Sequence, residues 1–410
     1  MDQVLGETTV PLSRRYWYLV ILALCGFVTS FGAHIVATNL PSYAQVVGVG
    51  AFMIGLLIAV YDFAELFAKP VAGFIADRRG MKAMLLTGIM VFIAGSLLFL
   101  VIDPKFLLGV RFIQGLGAAA LSTVSITLVA KYFTTGRGTA FGIYNAIKGA
   151  GYVIAPALGG FLVQGYGFSM IFIVSAAVGI VALLLSLFLP KDRTKADALK
   201  EDDDDMSLKE FFLIFKEPHL LPVYAVIVIN MFMVGILFGF LPVYLHSIGY
   251  TPLRSGILVT VATASYLLVQ PLAGYLADRV SIRKTVLVGL LMAALAISVV
   301  AFTSGILLIL VIIIAGVGVG TVWTNADTLI STMVDQRALG ASMGAAQSFK
   351  EFGDMVGPLL VGLITQFFGV QVGFVTCGTG ALLLLIFLAR STHFQNNKFD
   401  PIDASCSKRP

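Results

Sequence analysis

Two stretches of this chain read almost alike. Pro70-Val-Ala-Gly73-Phe-Ile-Ala-Asp77-Arg78 returns as Pro271-Leu-Ala-Gly274-Tyr-Leu-Ala-Asp278-Arg279, an offset of 201 residues. Each sits between long apolar runs. Each is therefore expected to form a tight turn at a membrane surface, because a charged side chain held in hydrocarbon costs several kcal/mol. Gly73 and Gly274 suit a close backbone approach at a helix end. The Asp-Arg pairs put both signs of charge at the surface. A turn that recurs at half the chain length predicts two copies of one unit.

The repeat extends further. Leu40-Pro41-x-Tyr43 matches Leu241-Pro242-x-Tyr244, Gly115 and Gly117 match Gly316 and Gly318, and Lys148 matches Lys350. Such a duplication is the pattern of a two-bundle transporter with its site at the midplane between the halves.

Composition agrees. Of 410 residues, 58% are hydrophobic and 12% charged, with a mean hydropathy of +0.96. No soluble core hides that much apolar surface, so the chain reads as an all-α polytopic membrane protein in contact with a lipid bilayer. The net charge of +5 then reflects basic loops rather than a nucleic-acid partner. Cys25, Cys377 and Cys406 are scattered and odd in number; they form neither a metal ribbon nor a disulfide framework.

Twelve apolar spans are expected, at 16–38, 51–73, 83–102, 106–131, 139–163, 168–190, 219–244, 256–276, 285–303, 306–332, 341–365 and 371–390, each near the ~20 residues a bilayer requires. They divide into two pseudo-symmetric six-helix bundles, 16–190 and 219–390. The remaining segments are an N-terminal tail (1–15), a linker (191–218) and a C-terminal tail (391–410). Short connections make neighbouring spans antiparallel. Among the lysines and arginines, Lys69, Arg111, Lys148 and Lys350 fall inside spans, and only Lys105 and Arg254 fall on one side of the membrane. The others crowd the opposite side, so both termini are expected to be cytoplasmic. Ser13-Arg14-Arg15 does not read as an export signal, because no small-residue cleavage site follows. The linker carries Glu201-Asp-Asp-Asp-Asp205, too self-repelling to fold alone. After it, Ser207-Leu-Lys-Glu210 has the form of a helix-capping box.

Several motifs carry a resemblance. Gly73, Ala76, Asp77, Arg78, Gly80 and Lys82 follow a loop pattern Gly-x-Leu-Ala-Asp-Arg-x-Gly-Arg-Lys, departing at Ile75 and Met81. Arg111, Gln114, Gly115 and Gly117 follow a span-four pattern. Gly142, Gly151, Ala155-Pro156, Gly159 and Gly160 follow a span-five exporter pattern, with Gly344, Gly353, Gly357-Pro358 and Gly362 as a degenerate copy in span eleven. With these, the chain resembles the major facilitator superfamily, and within it the twelve-span drug:proton antiporters. The glycines let helices approach closely, and Pro156 and Pro358 each remove a backbone hydrogen bond and permit a bend.

The resemblance implies roles. Gly73, Asp77, Arg78 and Gly80, with Gly274, Asp278 and Arg279, form a conformational-switch motif. Gly151, Pro156, Gly159, Gly160, Gly357 and Pro358 form the bending motif. Arg111 belongs to the proton-coupling apparatus. Span ten, with Trp323, Asn325 and Asp327, lines a cavity, though Asp327 is also placed near the inner mouth. Spans two and eleven face each other. The protein is monomeric.

Ionisable residues inside spans are functional candidates by default. Asp62, Glu65 and Lys69 share one face of span two, and Glu65–Lys69 also reads as a structural i,i+4 pair. Span eleven carries Lys350, Glu351 and Asp354. Asp62, Glu65, Arg111, Glu351 and Asp354 are the proton-coupling candidates, with Lys350 as the cation that approaches and leaves. Tyr144, Asn145, Lys148, Trp323, Asn325, Asp327 and Lys350 are the substrate candidates; Lys148 at that depth needs a carboxylate or an anionic ligand. His34 reads as a proton carrier or as a simply hydrogen-bonded histidine.

The sequence holds no GxxxxGK[ST] loop, no metal-ligand cluster and no catalytic triad, so neither an enzyme nor a cofactor or metal is expected. The reading is a plasma-membrane exporter that exchanges protons for a small amphipathic organic compound. The alternatives are export of an organic anion such as a siderophore, and a non-transporting sensor of the same fold.

Overall fold

A computed structural model describes residues 12–46, 48, 50–133, 137–190, 220–333 and 336–390. The linker with its capping box lies outside the described residues, as do most of the N-terminal tail and the whole C-terminal tail. With Leu221–Ser247 taken as one element, the described residues form twelve long helices. They are α1 (Leu12–Val46), α2 (Ala51–Arg79), α3 (Met81–Leu98), α4 (Leu107–Tyr132), α5 (Arg137–Tyr166), α6 (Ser169–Ser186), α7 (Leu221–Ser247), α8 (Pro252–Arg279), α9 (Ile282–Val300), α10 (Gly305–Met333), α11 (Gln336–Phe368) and α12 (Val370–Arg390). Helices suit this composition because they satisfy every backbone polar group within one segment, as a bilayer demands.

Eleven of the twelve are long and apolar enough to cross a membrane. The exception is α11, which carries Lys350, Glu351 and Asp354 in its middle. Its apolar stretch is interrupted by these three charged residues. Several helices overrun the predicted spans: α1 has 35 residues, about 50 Å at 1.5 Å each, and continues through Pro41, whereas α3 and α6 end at Leu98 and Ser186, short of the spans expected there.

Helices α1–α6 pack on one another around α1 and α4, and α7–α12 pack likewise around α7 and α10. Two extensive crossings join the bundles, α2 with α11 and α5 with α8, and α1 also touches α7. These two crossings are equivalent under the sequence repeat.

The repeated charged stretch is not the turn its sequence predicts. Helix α2 runs through it to Arg79, and the chain turns only at Gly80, whose φ of 100° favours glycine. In the second copy α8 runs to Arg279, and no positive φ is needed before α9. Nor do Gly73 and Gly274 mark close approaches. A methyl on either would meet only a threonine methyl at ordinary distance, Thr123 at 3.7 Å and Thr324 at 4.0 Å. The tight approaches lie at the other end of the bundles, where α2, α8 and their partners begin or finish at Ala51, Tyr166, Pro252 and Phe368. We call this the distal end.

The glycines of α5 face two different helices. Gly151 would press a side chain onto the backbone of Phe31 in α1, 2.9 Å away, whereas Gly160 abuts the Pro252 carbonyl of α8. In α11, Gly357 meets Phe232 of α7 at 2.9 Å and Gly362 meets the Ala51 carbonyl of α2 at 2.8 Å. One glycine pattern thus serves both packing within a bundle and the crossing between bundles.

Candidate functional site

A chamber lies between the bundles and has two connected halves. The first is lined by His34, Tyr61, Tyr152, Phe238, Tyr266 and Trp323 together with Asp62, Arg111 and Asp354. The second is lined by Glu65, Lys69, Lys148, Gln347, Lys350 and Glu351, and shares His34, Tyr61, Asp62, Tyr152, Trp323 and Asp354 with the first. The first half is aromatic and the second charged. Asp62 and Asp354 belong to both.

Helix periodicity explains much of the lining. Asp62, Glu65 and Lys69 fall on one face of α2, and Lys350, Glu351 and Asp354 project from α11 opposite. Lys69 bridges the two helices. Its Nζ lies 2.5 Å from Glu65 Oε2, one turn back, and also donates to Glu351 Oε1 across the interface. The bridging cation is therefore Lys69, not Lys350 as the sequence suggests. Lys350 instead donates to Asp327 Oδ2 of α10 at 2.6 Å and sits 4.7 Å from the centre of the Trp323 ring. The same-helix Asp354, though one turn away, does not receive it. A lysine reaches whichever carboxylate tertiary packing presents, and α10 presents Asp327 within its own bundle.

Among the described residues, Asp62 and Asp354 make no ion pair or hydrogen bond, and the Lys148 ammonium makes no ion pair. Arg111 is buried at 1% exposure with no carboxylate in ion-pair range. Its guanidinium donates to Gln114 Oε1 at 2.7 Å and lies 4.2 Å above the Tyr61 ring. Gln114 in turn donates to Ser96, which fixes the amide that holds the arginine. His34 donates from Nδ1 to the Ser30 carbonyl at 2.8 Å, and its ring is flanked by Tyr152 and Phe238 at 4.3 and 4.4 Å.

Four candidates from the sequence are not among the lining residues of either half: Tyr144, Asn145, Asn325 and Asp327, the last touching the site only through its pair with Lys350. Tyr144 is buried in the first bundle with its hydroxyl 2.8 Å from Ser125. Asn145, its neighbour, is exposed and lines neither half. Asn325 is fully buried between α8 and α10 and donates to the Thr321 and Ala273 carbonyls. Tyr144 and Asn325 share helices with lining residues but point into the bundles, because successive residues turn by about 100°.

The sequence also conceals a feature of α7. Residues Ile236–Phe240 form a π turn, a local widening that often occurs at functional sites. Phe238 and Gly239 of this turn line the aromatic half, and a side chain on Gly239 would lie 2.6 Å from Ile58 of α2. The pair Gly235 and Gly239 is the only hint in the sequence.

At the distal end the chamber is closed by two equivalent contact sets. Gly55 of α2 abuts the Pro358 carbonyl of α11, and Gly256 of α8 abuts the Pro156 carbonyl of α5. Gln366 accepts from the Phe52 N–H at 3.1 Å, and Gln164 accepts from the Leu253 N–H at 3.3 Å. The charged half of the chamber lies toward the opposite end. Among the described residues no cluster of His, Cys, Asp and Glu is arranged to hold a metal.

Comparison with known proteins is consistent with this architecture. Over 397 residues the chain is 25% identical to multidrug resistance protein MdtG of Citrobacter koseri, spanning 93% of this chain and 95% of that one. It is 24% identical over 361 residues to multidrug resistance protein 2 of Bacillus subtilis, spanning 86% and 90%. A bacterial homologue of the human lysosomal transporter Spinster, solved inward-facing and unoccupied, shares the fold with a TM-score of 0.79 at 16% identity, covering 96% of this chain and 99% of that one. The nucleoside transporter NupG does so with a TM-score of 0.75 at 14% identity, covering 90% and 98%. The sequence profile of the Major Facilitator Superfamily matches residues 22–263 and again 223–405, taking in both bundles. The chain belongs to the Major Facilitator Superfamily.

Proposed function

We propose that this protein is a secondary active exporter that exchanges protons for a small amphipathic organic compound by alternating access. The observation that carries the proposal is the position of Asp62 and Asp354. Both are without an ion pair, and both stand where an aromatic half-chamber meets a charged one. Aromatic rings offer apolar area and π faces to an amphipathic ligand. A carboxylate in an apolar site favours its proton, and one beside a lysine releases it. Parting Lys69 from Glu351 changes the distance from that cation to the carboxylates of the chamber. A rocking motion would thereby link proton affinity to the direction of access.

The distribution of basic residues supports cytoplasmic termini. In that orientation the glycine-proline closure lies on the outer face and the charged half points inward. The two repeat units, 16–190 and 219–390, act as the rocking bodies of a monomer in the cell membrane, joined by the acidic linker as a tether. The resemblance to multidrug resistance proteins supports export.

Lys148 favours a second reading, export of an organic anion, since its ammonium lines the charged half without an ion pair. Uptake into inverted vesicles under an imposed pH gradient, with a panel of cationic, neutral and anionic compounds, tests both. Gradient-dependent accumulation of amphipathic cations or neutral compounds supports the first reading, and of anions alone the second. Accumulation that ignores the pH gradient removes proton exchange.

A further inference from the structure

The two bundle crossings share their glycine–carbonyl and glutamine contacts and differ in two others: the Lys69–Glu351 pair belongs to α2–α11 alone, and α5–α8 has a contact of its own. On the α5–α8 side, Thr260 of α8 inserts its hydroxyl against the backbone of α5. The hydroxyl donates to the Val153 carbonyl at 2.8 Å and accepts from the Ala157 N–H at 3.1 Å. In a regular helix those two groups are the i and i+4 partners of one hydrogen bond. Pro156 lies between them and has no N–H, so the same turn already lacks one bond of the ladder. A side chain that enters the ladder at such a turn is a recognised cause of helix bending. The equivalent residue on the α2–α11 side, one repeat earlier, is Ala59, which has no hydroxyl to offer Met355 and Leu359.

We infer that Thr260 is a latch between the bundles, positioning α5 against α8 while the distal end is closed. The inference rests on the rocking motion of the proposed function. Its physical basis is an exchange of hydrogen bonds. With the bundles together, Thr260 satisfies both Val153 and Ala157. With the bundles apart, those two groups bond to each other, and the hydroxyl turns back to a carbonyl of its own helix, as serines and threonines in helices commonly do. No backbone group is stranded in hydrocarbon in either state, so the latch holds one state without blocking the other. A hydrophobic residue of the same shape would keep the packing and lose the holding. The latch sits on one crossing only, so the α5–α8 contact is the one that must release by changing hydrogen bonds, while α2–α11 parts by breaking the Lys69–Glu351 pair.

The test reads the crossing rather than transport. Spin labels are placed at Tyr166 and Arg254, exposed at the distal ends of α5 and α8, with Cys406 replaced by Ser; Cys25 and Cys377 are buried. Distances are measured by pulsed electron resonance in lipid nanodiscs for the parent protein, Thr260→Val and Thr260→Ser. The expected result is a second, longer distance component in Thr260→Val, with Thr260→Ser matching the parent. A Thr260→Val distribution identical to the parent overturns the latch. So does an equal shift in both variants, which would assign the effect to packing rather than to the hydroxyl. Neither outcome depends on what the protein carries. Failure of proton exchange in vesicles would leave this result standing, and the reverse also holds.

Discussion

A methyl group on Gly55 would overlap the carbonyl oxygen of Pro358. The contact joins the two bundles, and its repeat-related counterpart places Gly256 against the Pro156 carbonyl. The prolines that resemble a bending motif therefore also supply the surface on which the distal end closes. Backbone oxygen cannot move aside as a side chain can, so any side chain at Gly55 must push α2 away from α11.

Gly55→Ala is expected to insert normally but to disfavour the closed distal end. Overpacking of this kind costs about 1–3 kcal/mol, which biases the equilibrium by roughly tenfold or more. Transport should fall by a comparable factor, and Gly256→Ala should behave alike. Distal cysteine pairs across α2 and α11 would report the separation. Full transport by both variants, with unaltered cross-linking, would show that the closure has slack.

Lys69 holds two carboxylates, Glu65 and Glu351, whereas among the described residues each carboxylate pairs with this lysine alone. Removing the lysine should therefore do more harm than removing one acid. Lys69→Gln is expected to abolish uphill transport, and Glu351→Gln to reduce it only partly, because the Glu65 pair survives. The side chains of Lys69 and Glu351 keep 27% and 17% exposure, so solvent screening lowers the loss below that of a fully buried pair. Vesicle uptake at matched expression gives the order; a more damaging Glu351→Gln would place the essential contact on α11 instead.

Much of this arrangement is legible in the sequence, and its limits are physical. The repeat, the helices and the acidic faces of α2 and α11 follow from periodicity, which local chemistry enforces. Periodicity also places Lys69 near Glu65. It cannot say that Lys69 meets Glu351, a residue 282 positions away, because that depends on how two bundles dock. It misassigns Lys350, which turns toward Asp327 of its own bundle rather than the interface. It does not separate Tyr144 and Asn325 from the chamber lining, although each side chain makes hydrogen bonds inside a bundle. The charged repeat reads as a turn because its composition matches a surface loop, although helix continues through it. Thr260 is invisible, since one threonine in an apolar helix has no pattern of its own.

The Asp327–Lys350 pair leads to a stability prediction. Lys350 is 6% exposed and Asp327 26%. Asp327→Asn replaces the anionic partner of the buried ammonium with a neutral amide beside the Trp323 ring, and loss of one charge from such a pair costs up to ~3 kcal/mol. The variant should melt several degrees lower in detergent. Adding Lys350→Gln should recover most of the loss, because a neutral pair needs no counter-charge. A double variant no more stable than Asp327→Asn would mean that Lys350 packs rather than pairs.

The last prediction separates coupling from binding. Asp62 and Asp354 line both halves of the chamber from opposite bundles, and neither has a cation at ion-pair distance among the described residues. Glu65 and Glu351 are already occupied by Lys69. A site that must take up and release a proton within each cycle is better served by a carboxylate that is not committed to a lysine, because a committed one must first give up its partner. Asp62→Asn and Asp354→Asn are therefore expected to abolish accumulation against a gradient. Downhill exchange of substrate should persist, because an amide keeps the size and polarity of the wall. The pH dependence of exchange should flatten in whichever variant removes the coupling group, since a tenfold difference in proton affinity between the two states supplies about 1.4 kcal/mol of coupling. Glu65→Gln should keep the parent pH profile while weakening the Lys69 bridge. Proteoliposomes with matched protein content allow uphill uptake and exchange to be measured side by side. If Asp62→Asn and Asp354→Asn both still concentrate substrate with an unchanged pH profile, the proton is carried by the Lys69-bound carboxylates. The bridge between α2 and α11 would then be the coupling element itself.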